Sequence, residues 1–149
     1  MKNRLVLGGT AGLFPIMASY VEKNVDRKSL LEISATSGGA IVGSLVAANL
    51  PITDTIRKIK FSSILDPFFL YAGIFSSSMS LYKGKKVEEA LLQIFPMKMG
   101  SLPIPLTIVS HDIERLEPFI FSSFLTPHVV VGEAVRCSLG LPLVFEPMR

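Results

Sequence analysis

The sequence predicts an α/β domain with a mostly parallel sheet, and two consecutive segments carry that prediction. In each segment a short apolar run leads into a glycine-rich turn and then into apolar residues at helical spacing. Because strand–turn–helix units in succession place their strands side by side, we expect a parallel sheet with helices packed on it. A chain of 149 residues can bury a sizeable core, so we expect a single domain over residues 1–149.

The first unit starts with the apolar run of residues 5–7, which ends at two glycines and is typical of a buried strand entering a turn. Apolar residues then recur at helical spacing over residues 13–21, where Pro15 is tolerated because it falls in the first turn. The second unit repeats this order, with a strand in "LLEISA", a turn in "TSGG" and a helix in "AIVGSLVAAN" that ends before Pro51.

The later segments predict further helices and a pair of strands. We expect one helix from Thr53, a fair N-cap, to about residue 64, and another over residues 85–95. The runs "IPLTIVS" and "PFIFSS" predict two strands joined by a hairpin or short loop, and "VVVGEAVRCSLG" predicts a brief strand and a short helix. The irregular apolar stretch "FFLYAGIFSSSMSLYKG" is interpreted as core packing, with contact to a lipid-sized ligand as the alternative.

Charge and cysteine content narrow the classes of function. Fifteen Lys and Arg residues against twelve Asp and Glu give a net charge of +3, which is too small to indicate a nucleic-acid partner. Two small basic clusters, at residues 57–60 and 83–86, are interpreted as ordinary solvated faces, with contact to an anionic lipid surface as the alternative. The single cysteine, Cys137, excludes an internal disulfide framework, fits a reducing compartment and is expected to be a small core residue.

Localisation is predicted from the N-terminus and from two apolar stretches. The start "MKNRLVLGG" has too few apolar residues for a signal peptide, so we expect a cytoplasmic protein, with peripheral membrane contact as an option. Residues 33–53 carry no charge and have the length of a membrane span, but their polar residues and adjacent glycines disfavour a spanning helix. Residues 61–82 are interrupted by Asp66-Pro67. An integral membrane protein is therefore kept only as a third alternative.

The segment "EISATSGGAIVG" places one serine, Ser37, between a predicted strand and a predicted helix, among residues without bulk. A serine on such a turn is held out of the sheet with its hydroxyl exposed, and the turn requires small neighbours. The usual pattern is G-x-S-x-G, and here Ala35 replaces the first glycine. The following helix directs its dipole and free N–H groups toward developing negative charge. Ser37 is therefore a candidate nucleophile, with an ordinary packing serine as the alternative.

The glycine turn of the first unit is the candidate second half of the site. Residues 8–12 follow a parallel strand and can offer backbone N–H groups to an oxyanion. Losing one such donor typically raises the barrier by about 2.7 to 4 kcal/mol. The turn is not followed by Gly-Lys-Ser/Thr and lacks the G-x-G-x-x-G spacing, so it predicts neither a P-loop nor a dinucleotide site.

Taken together, four segments of the chain resemble the patatin-like phospholipase family: "RLVLGGTAGL", "ISATSGGAIVGSLVAA", "PLTIVSHDIERLEPFIFSS" and "GEAVRCSLGLPLVFEPM". The family's glycine loop resembles G-G-G-x-[RK]-G and its serine turn G-x-S-x-G. Its later helix and loop follow "AxxAS-x-A-x-P-x-x-F-x-P", and five residues here fall in place: Ala134, Ser138, Pro142, Phe145 and Pro147. Cys137 and Gly140 stand where alanines are common.

The resemblance implies a three-layer α/β/α fold with a mostly parallel central sheet, truncated here at the C-terminus. It also implies lipid acyl hydrolysis by a Ser-Asp dyad that uses no metal or other cofactor. Residue by residue, it assigns the nucleophile to Ser37 and the oxyanion donors to Gly8, Gly9, Thr10 and Gly38. The dyad aspartate, which stands in a D-G-[GA] motif, is absent from the sequence, and Ala11 replaces the basic residue usual in the glycine loop.

Four other titratable residues were natural candidates for the missing base, and none is predicted to serve: Asp112, Glu146, His111 and His128. Asp112 matches a family aspartate that looks structural, and Glu146 matches a variable loop position. His111 lies beside the predicted hairpin and His128 follows a proline in a loop, so neither matches a catalytic position.

The leading functional hypothesis is a lipid acyl hydrolase of phospholipase A type, acting on a phospholipid or another lipid ester, with the base missing from these residues. The alternative is a catalytically inactive patatin-like fragment that binds lipid or a protein partner through exposed apolar surface. No ligand cluster suggests a metal, no nucleic-acid partner is expected, and the oligomeric state is left open.

Overall fold

A four-stranded sheet forms the centre of the computed structural model, which describes residues 2–10, 13–58 and 85–140. Its strands are β1 (Asn3–Leu7), β2 (Leu30–Thr36), β3 (Leu106–Asp112) and β4 (Glu117–Ser122), and they neighbour one another in that order. Strands β1, β2 and β3 run parallel, and β4 returns antiparallel to β3. The predicted α/β class, the mostly parallel sheet and the predicted hairpin are thus confirmed.

Helices pack on this sheet and on one another. The described part of the chain contains α1 (Phe14–Asn24), α2 (Gly38–Ala47), α3 (Ile52–Lys58), α4 (Lys85–Ile94) and α5 (Val131–Ser138). Helix α2 contacts β1, β2 and β3 as well as α1, α3 and α5, while α4 packs against α5. Every residue of α2 is buried. This enclosure explains why the sequence of α2 is apolar all round instead of amphipathic.

Helix α2 approaches the sheet closely because glycines face the strands. A Cβ atom added at Gly43 would lie 3.0 Å from the Cβ of Ala35. A Cβ atom added at Gly39 would lie only 2.5 Å from the carbonyl oxygens of Leu7 and Gly8. Real Cβ atoms do not approach backbone oxygens so closely, so the first turn of α2 fits against the end of β1 only with glycine at position 39.

The two faces of the sheet differ in how they are covered. The strand register places Leu7 beside Ala35 and Ala35 beside Ile108, and all three are buried. This face, together with the helices packed on it, forms the hydrophobic core. The opposite face carries three exposed apolar side chains, on β1, β3 and β4: Val6, Val109 and Ile120.

The prediction that Thr53 caps α3 is wrong, because a side chain from α1 takes that role. Helix α3 begins at Ile52, and the carboxylate of Glu22 accepts hydrogen bonds from the backbone N–H groups of Ile52 (3.2 Å) and Thr53 (3.4 Å). The Thr53 hydroxyl donates to the same carboxylate. The pKa of Glu22 is lowered, and the largest cause is the hydrogen bond from the Thr53 hydroxyl. The two backbone amides and the charge of Arg27 act in the same direction, while desolvation opposes them.

The brief strand predicted before α5 is also wrong. Only an isolated antiparallel bridge joins Val130 to Lys98, and the helix begins at the next residue, Val131. The N–H of Val131, the first residue of the helix, donates to the carbonyl of Met97 (2.9 Å). The predicted end of the helix at residue 64 and the apolar stretch of residues 68–84 lie outside the described residues.

The uncharged residues 33–53 do not form one continuous helix. They are divided between the end of β2, the ten residues of α2 and the start of α3. In the parts of the chain that the structure describes, we find no helix with both the length and the apolar character needed to cross a membrane.

Candidate active site

Ser37 lies at the junction between β2 and α2, with backbone angles φ 51° and ψ −129°. A non-glycine residue with positive φ is uncommon, and this combination with negative ψ is strained for an L-amino acid. The turn is possible here because Ala35 precedes it and two glycines follow it. The Ser37 side chain does not cap α2, although it occupies the N-cap position. Its hydroxyl therefore makes no capping hydrogen bond to the helix that follows.

The glycine loop after β1 lies directly against Ser37. A Cβ atom added at Gly9 would lie 3.5 Å from the Cβ and 3.9 Å from the Oγ of Ser37. Gly8 is exposed, with open space where a side chain would be. Thr10 is half-buried, and its Oγ1 is enclosed without a hydrogen bond to the described residues. The two candidate halves of the site, which are far apart in sequence, are therefore neighbours in the fold.

Gly38 is the buried first residue of α2 and follows Ser37 directly. Its N–H belongs to the first turn, where amides have no carbonyl four residues earlier within the helix to accept them. The carbonyl of Ser37 is already engaged, since it accepts the N–H of Ala40 at 2.8 Å. The N-terminal end of α2, with its partial positive charge, therefore begins at the candidate nucleophile. Such a helix end stabilises negative charge that develops nearby.

A second serine, Ser138 at the end of α5, reaches this junction and was not predicted as part of the site. Its Oγ accepts the backbone N–H of Ser37 at 2.8 Å and donates to the carbonyl of Val109 in β3 at 2.7 Å. The hydroxyl of Thr36 also donates to Val109, at 3.2 Å. The only signal in the sequence was the match of Ser138 to the pattern of a later helix, which gave it no role.

The Asp112 side chain accepts hydrogen bonds within the turn between β3 and β4. Its Oδ1 accepts the backbone N–H groups of Glu114 (2.9 Å) and Arg115 (3.1 Å), and the side chain of Arg115 approaches to 4.0 Å. The pKa of Asp112 is lowered, and the largest cause is the hydrogen bond from the Arg115 amide. The Glu114 amide and nearby positive charge act in the same direction. These bonds form an Asx turn, so the position serves the hairpin.

The two histidines and Cys137 lie in three different parts of the described structure. His111 is an exposed residue of β3 that pairs with Pro118 across the hairpin. His128 is exposed in the segment before α5, where its neighbours Pro127 and Val129 accept hydrogen bonds from residues 99 and 100. Glu146 lies outside the described residues. Cys137 is half-buried, and burial raises the pKa of its thiol, which disfavours the reactive thiolate.

A metal site is not found in residues 2–10, 13–58 and 85–140, where no three His, Cys, Asp or Glu side chains come together.

The chain is similar to other proteins over nearly its whole length. It is 26% identical over 163 aligned positions to the uncharacterized protein R571 of Acanthamoeba polyphaga mimivirus, covering 99% of this chain and 54% of the viral protein. No family model matches the sequence. Among solved structures, VipD from Legionella pneumophila matches with a TM-score of 0.66 and 16% identity, over 99% of this chain and 44% of VipD.

Two structures of ExoU show the same likeness. The type III effector protein ExoU matches with a TM-score of 0.56 and 20% identity, covering 95% of this chain and 40% of that one. ExoU in its heterodimeric complex with SpcU, from Pseudomonas aeruginosa, matches with a TM-score of 0.57 and 16% identity, over 93% of this chain and 36% of that one. These likenesses show that the chain has a patatin-like α/β fold. The chain spans about half the length of the viral relative and less than half of each matched structure.

Proposed function

We propose that this chain carries the nucleophile and oxyanion side of a lipid acyl hydrolase, with Ser37 as the nucleophile. One observation supports the proposal most strongly. Ser37 is held at φ 51° between β2 and α2, and the glycine loop lies against its hydroxyl. A strained turn that presents a hydroxyl to backbone N–H groups is costly for a purely structural serine. The same turn is what acyl transfer requires.

In the proposed reaction the Ser37 Oγ attacks the carbonyl carbon of a lipid ester. The hydroxyl proton passes to a base, and the resulting oxyanion is stabilised by the N–H groups of Gly8, Gly9, Thr10 and Gly38. The ester C–O bond then breaks, the alcohol leaves with a proton from the base, and Ser37 holds the acyl group. Water activated by the same base attacks the acyl-enzyme, which releases the fatty acid and restores the serine.

The base is the part of this mechanism that the 149 residues do not supply in the expected form. The resemblance assigns it to an aspartate in a D-G-[GA] motif that the sequence lacks. Asp112 is a poor substitute because two backbone amides and Arg115 already stabilise its charged form in the hairpin turn. We therefore propose that the proton acceptor is an aspartate from outside these residues.

A lipid substrate, reached at a membrane surface, is supported by the outer face of α1. Three apolar side chains at helical spacing near its start are more than 60% exposed: Leu13, Ile16 and Tyr20. Helix α1 follows the glycine loop, so these side chains belong to the element next to the proposed oxyanion donors. Apolar residues of this size in a row on one helix face favour contact with lipid over contact with water.

Release of fatty acid from phosphatidylcholine vesicles tests the proposal. We would compare the 149-residue chain with a longer chain that contains a downstream Asp-Gly-Gly or Asp-Gly-Ala segment, and with the Ser37→Ala variant of each. We expect release from the longer chain alone, and its loss by at least about a thousandfold in Ser37→Ala, because the nucleophile is removed. Release that persists in Ser37→Ala would contradict the proposal.

A second candidate function is binding without catalysis. It is favoured by the absence of the dyad aspartate from the sequence together with the structural use of Asp112. Among the matched structures, ExoU is seen in a complex with the protein SpcU, so a protein that contains this fold can have a protein partner. Co-sedimentation with vesicles, in the same way for the wild type and Ser37→Ala and without any fatty-acid release at either chain length, would support this alternative.

A further inference from the structure

The hydroxyl of Ser138 completes the sheet at the point where β2 leaves it. In the parallel pairing of β2 with β3, the N–H of Ile33 donates to the carbonyl of Pro105 at 2.9 Å, and Thr36 lies opposite Val109. Alternate residues of a parallel strand donate to successive alternate carbonyls of its neighbour. Continued for two more steps, the ladder would join the N–H of Ser37 to the carbonyl of Val109.

That last bond is replaced by a bridge through Ser138. The Ser37 N–H donates to Ser138 Oγ at 2.8 Å, and Ser138 Oγ donates to the Val109 carbonyl at 2.7 Å. A single hydroxyl thus satisfies the donor and the acceptor that a continuing strand would have paired directly. Because two hydrogen bonds now span the gap, the end of β2 can separate from β3. It separates at Ser37, where φ becomes positive.

The bridge also fixes the peptide group on one side of the strained residue. The N–H of Ser37 is held by Ser138, and its carbonyl accepts the N–H of Ala40 at 2.8 Å. Both backbone polar groups of Ser37 are therefore committed, which leaves the side chain as its free polar group. A strained φ of this kind persists only where the surroundings over-determine it.

We propose that Ser138 is a positioning residue for Ser37: it holds the strained turn and thereby the direction of the Ser37 side chain. The inference deepens the proposed function and rests on it, since it concerns the reactivity of the proposed nucleophile. Ser138 lies 101 residues from Ser37 in the sequence and ends α5. The packing of α5 on β3 is therefore coupled to the geometry of the nucleophile.

The test measures the reactivity of a cysteine side chain at position 37, which does not depend on the missing base. In a Cys137→Ala background, Ser37→Cys leaves a single thiol in the chain. Its pKa and its rate of alkylation by iodoacetamide are measured as a function of pH. A thiolate at the start of α2 is stabilised by the helix end, so this pKa reports how well the side chain is directed there.

We expect Ser138→Ala to raise the thiol pKa by about one unit and to slow alkylation at neutral pH by about tenfold. Ser138→Thr keeps the hydroxyl and should restore most of the effect. Ser123→Ala is the matched control, because Ser123 also bridges backbone groups of β3, accepting the Leu106 N–H (3.0 Å) and donating to the Leu106 carbonyl (3.4 Å), at the other end of the strand. It should leave the thiol pKa unchanged.

An unchanged thiol pKa in Ser138→Ala, or an equal change in Ser123→Ala, would overturn the inference while leaving the proposed function standing. Absence of fatty-acid release from the longer chain with Ser37 and Ser138 intact, together with the expected pKa shift, would reject the proposed function instead. If Ser138→Ala does not fold, amide hydrogen exchange in the wild type tests whether the Ser138 bridge forms. We expect the Ser37 N–H to be strongly protected, and rapid exchange of that amide would contradict the bridge.

Discussion

Ser37 has a backbone conformation that is unfavourable for an L-amino acid, and its side chain makes no capping hydrogen bond to α2. The first property comes from its position between β2 and α2, at φ 51° and ψ −129°. The second leaves its hydroxyl beside Gly9, in the loop that follows β1. The strained turn and the hydroxyl that faces the glycine loop thus occur at the same residue, as the proposed role of Ser37 as a nucleophile requires.

Glycine at position 37 should stabilise the fold. Ser37→Gly removes the Cβ atom that makes positive φ unfavourable, so we expect the free energy of unfolding to rise by about 1 kcal/mol in urea denaturation. Ser34→Gly, in the regular part of β2, is the control and should lower it by about 0.5 to 1 kcal/mol. Equal losses of stability in the two variants would show that Ser37 is not strained.

The candidate site residues could be selected from the sequence, but the residue that holds Ser37 in place, Ser138, could not. Small residues around Ser37 and the two glycines after β1 identify local turns, because turn chemistry depends on neighbours in the chain. The bridge from Ser138 depends on a contact across 101 residues and on where α5 ends. No local pattern reports such a contact.

At the scale of elements, the close fit of α2 against β1 depends on Gly39. Gly39→Ala would place a Cβ atom 2.5 Å from two backbone carbonyl oxygens, so backbone atoms would have to move. We expect a loss of about 3 kcal/mol in the free energy of unfolding, measured by urea denaturation. Gly8→Ala, whose added Cβ would meet no atom within 4 Å, should change it by less than about 0.5 kcal/mol. Similar losses in both variants would contradict this packing.

The cap that Glu22 provides for α3 predicts a pH-dependent contribution to stability. Glu22→Ala should lower the free energy of unfolding at pH 7 by less than about 1 kcal/mol, because the carboxylate is exposed and water screens its charge. Because the folded-state pKa of Glu22 is lowered, the contribution is full above the ordinary pKa of a glutamate and is lost as pH falls through the folded pKa.

Chemical denaturation of the wild type and Glu22→Ala between pH 7 and pH 2.5 measures this difference. Lys23→Ala, at the neighbouring exposed position of α1, should give no comparable loss that disappears in acid. A Glu22→Ala loss that stayed constant across this range would show that the carboxylate charge does not cap α3.

The elements that sequence patterns predicted correctly are those with strong local signals. The glycine turns separate β1 from α1 and β2 from α2, and a polar hairpin separates β3 from β4. The start of α3 was misjudged because Glu22, on another helix, supplies the cap that Thr53 was expected to provide. The strand expected before α5 is a single bridge, since Val131 already starts the helix.

At the scale of the whole molecule, one hydrophobic core joins the sheet to its helices, and the fold matches those of VipD and ExoU. The matched proteins are longer, and this chain covers 44% of VipD and 40% of ExoU. The described residues bring the candidate nucleophile and the glycine loop together. We propose that the acceptor for the serine proton is an aspartate outside these residues.

Labelling with a fluorophosphonate, followed by mass spectrometry of the peptides, tests whether Ser37 is the nucleophile, because the reagent reports which serine is activated. We expect a single adduct on Ser37 in a chain that contains the downstream Asp-Gly-Gly or Asp-Gly-Ala segment. We expect little or no adduct in the 149-residue chain, and none in Ser37→Ala at either length. An adduct on a different serine, or no adduct at either length, would contradict the assignment of Ser37 as the nucleophile.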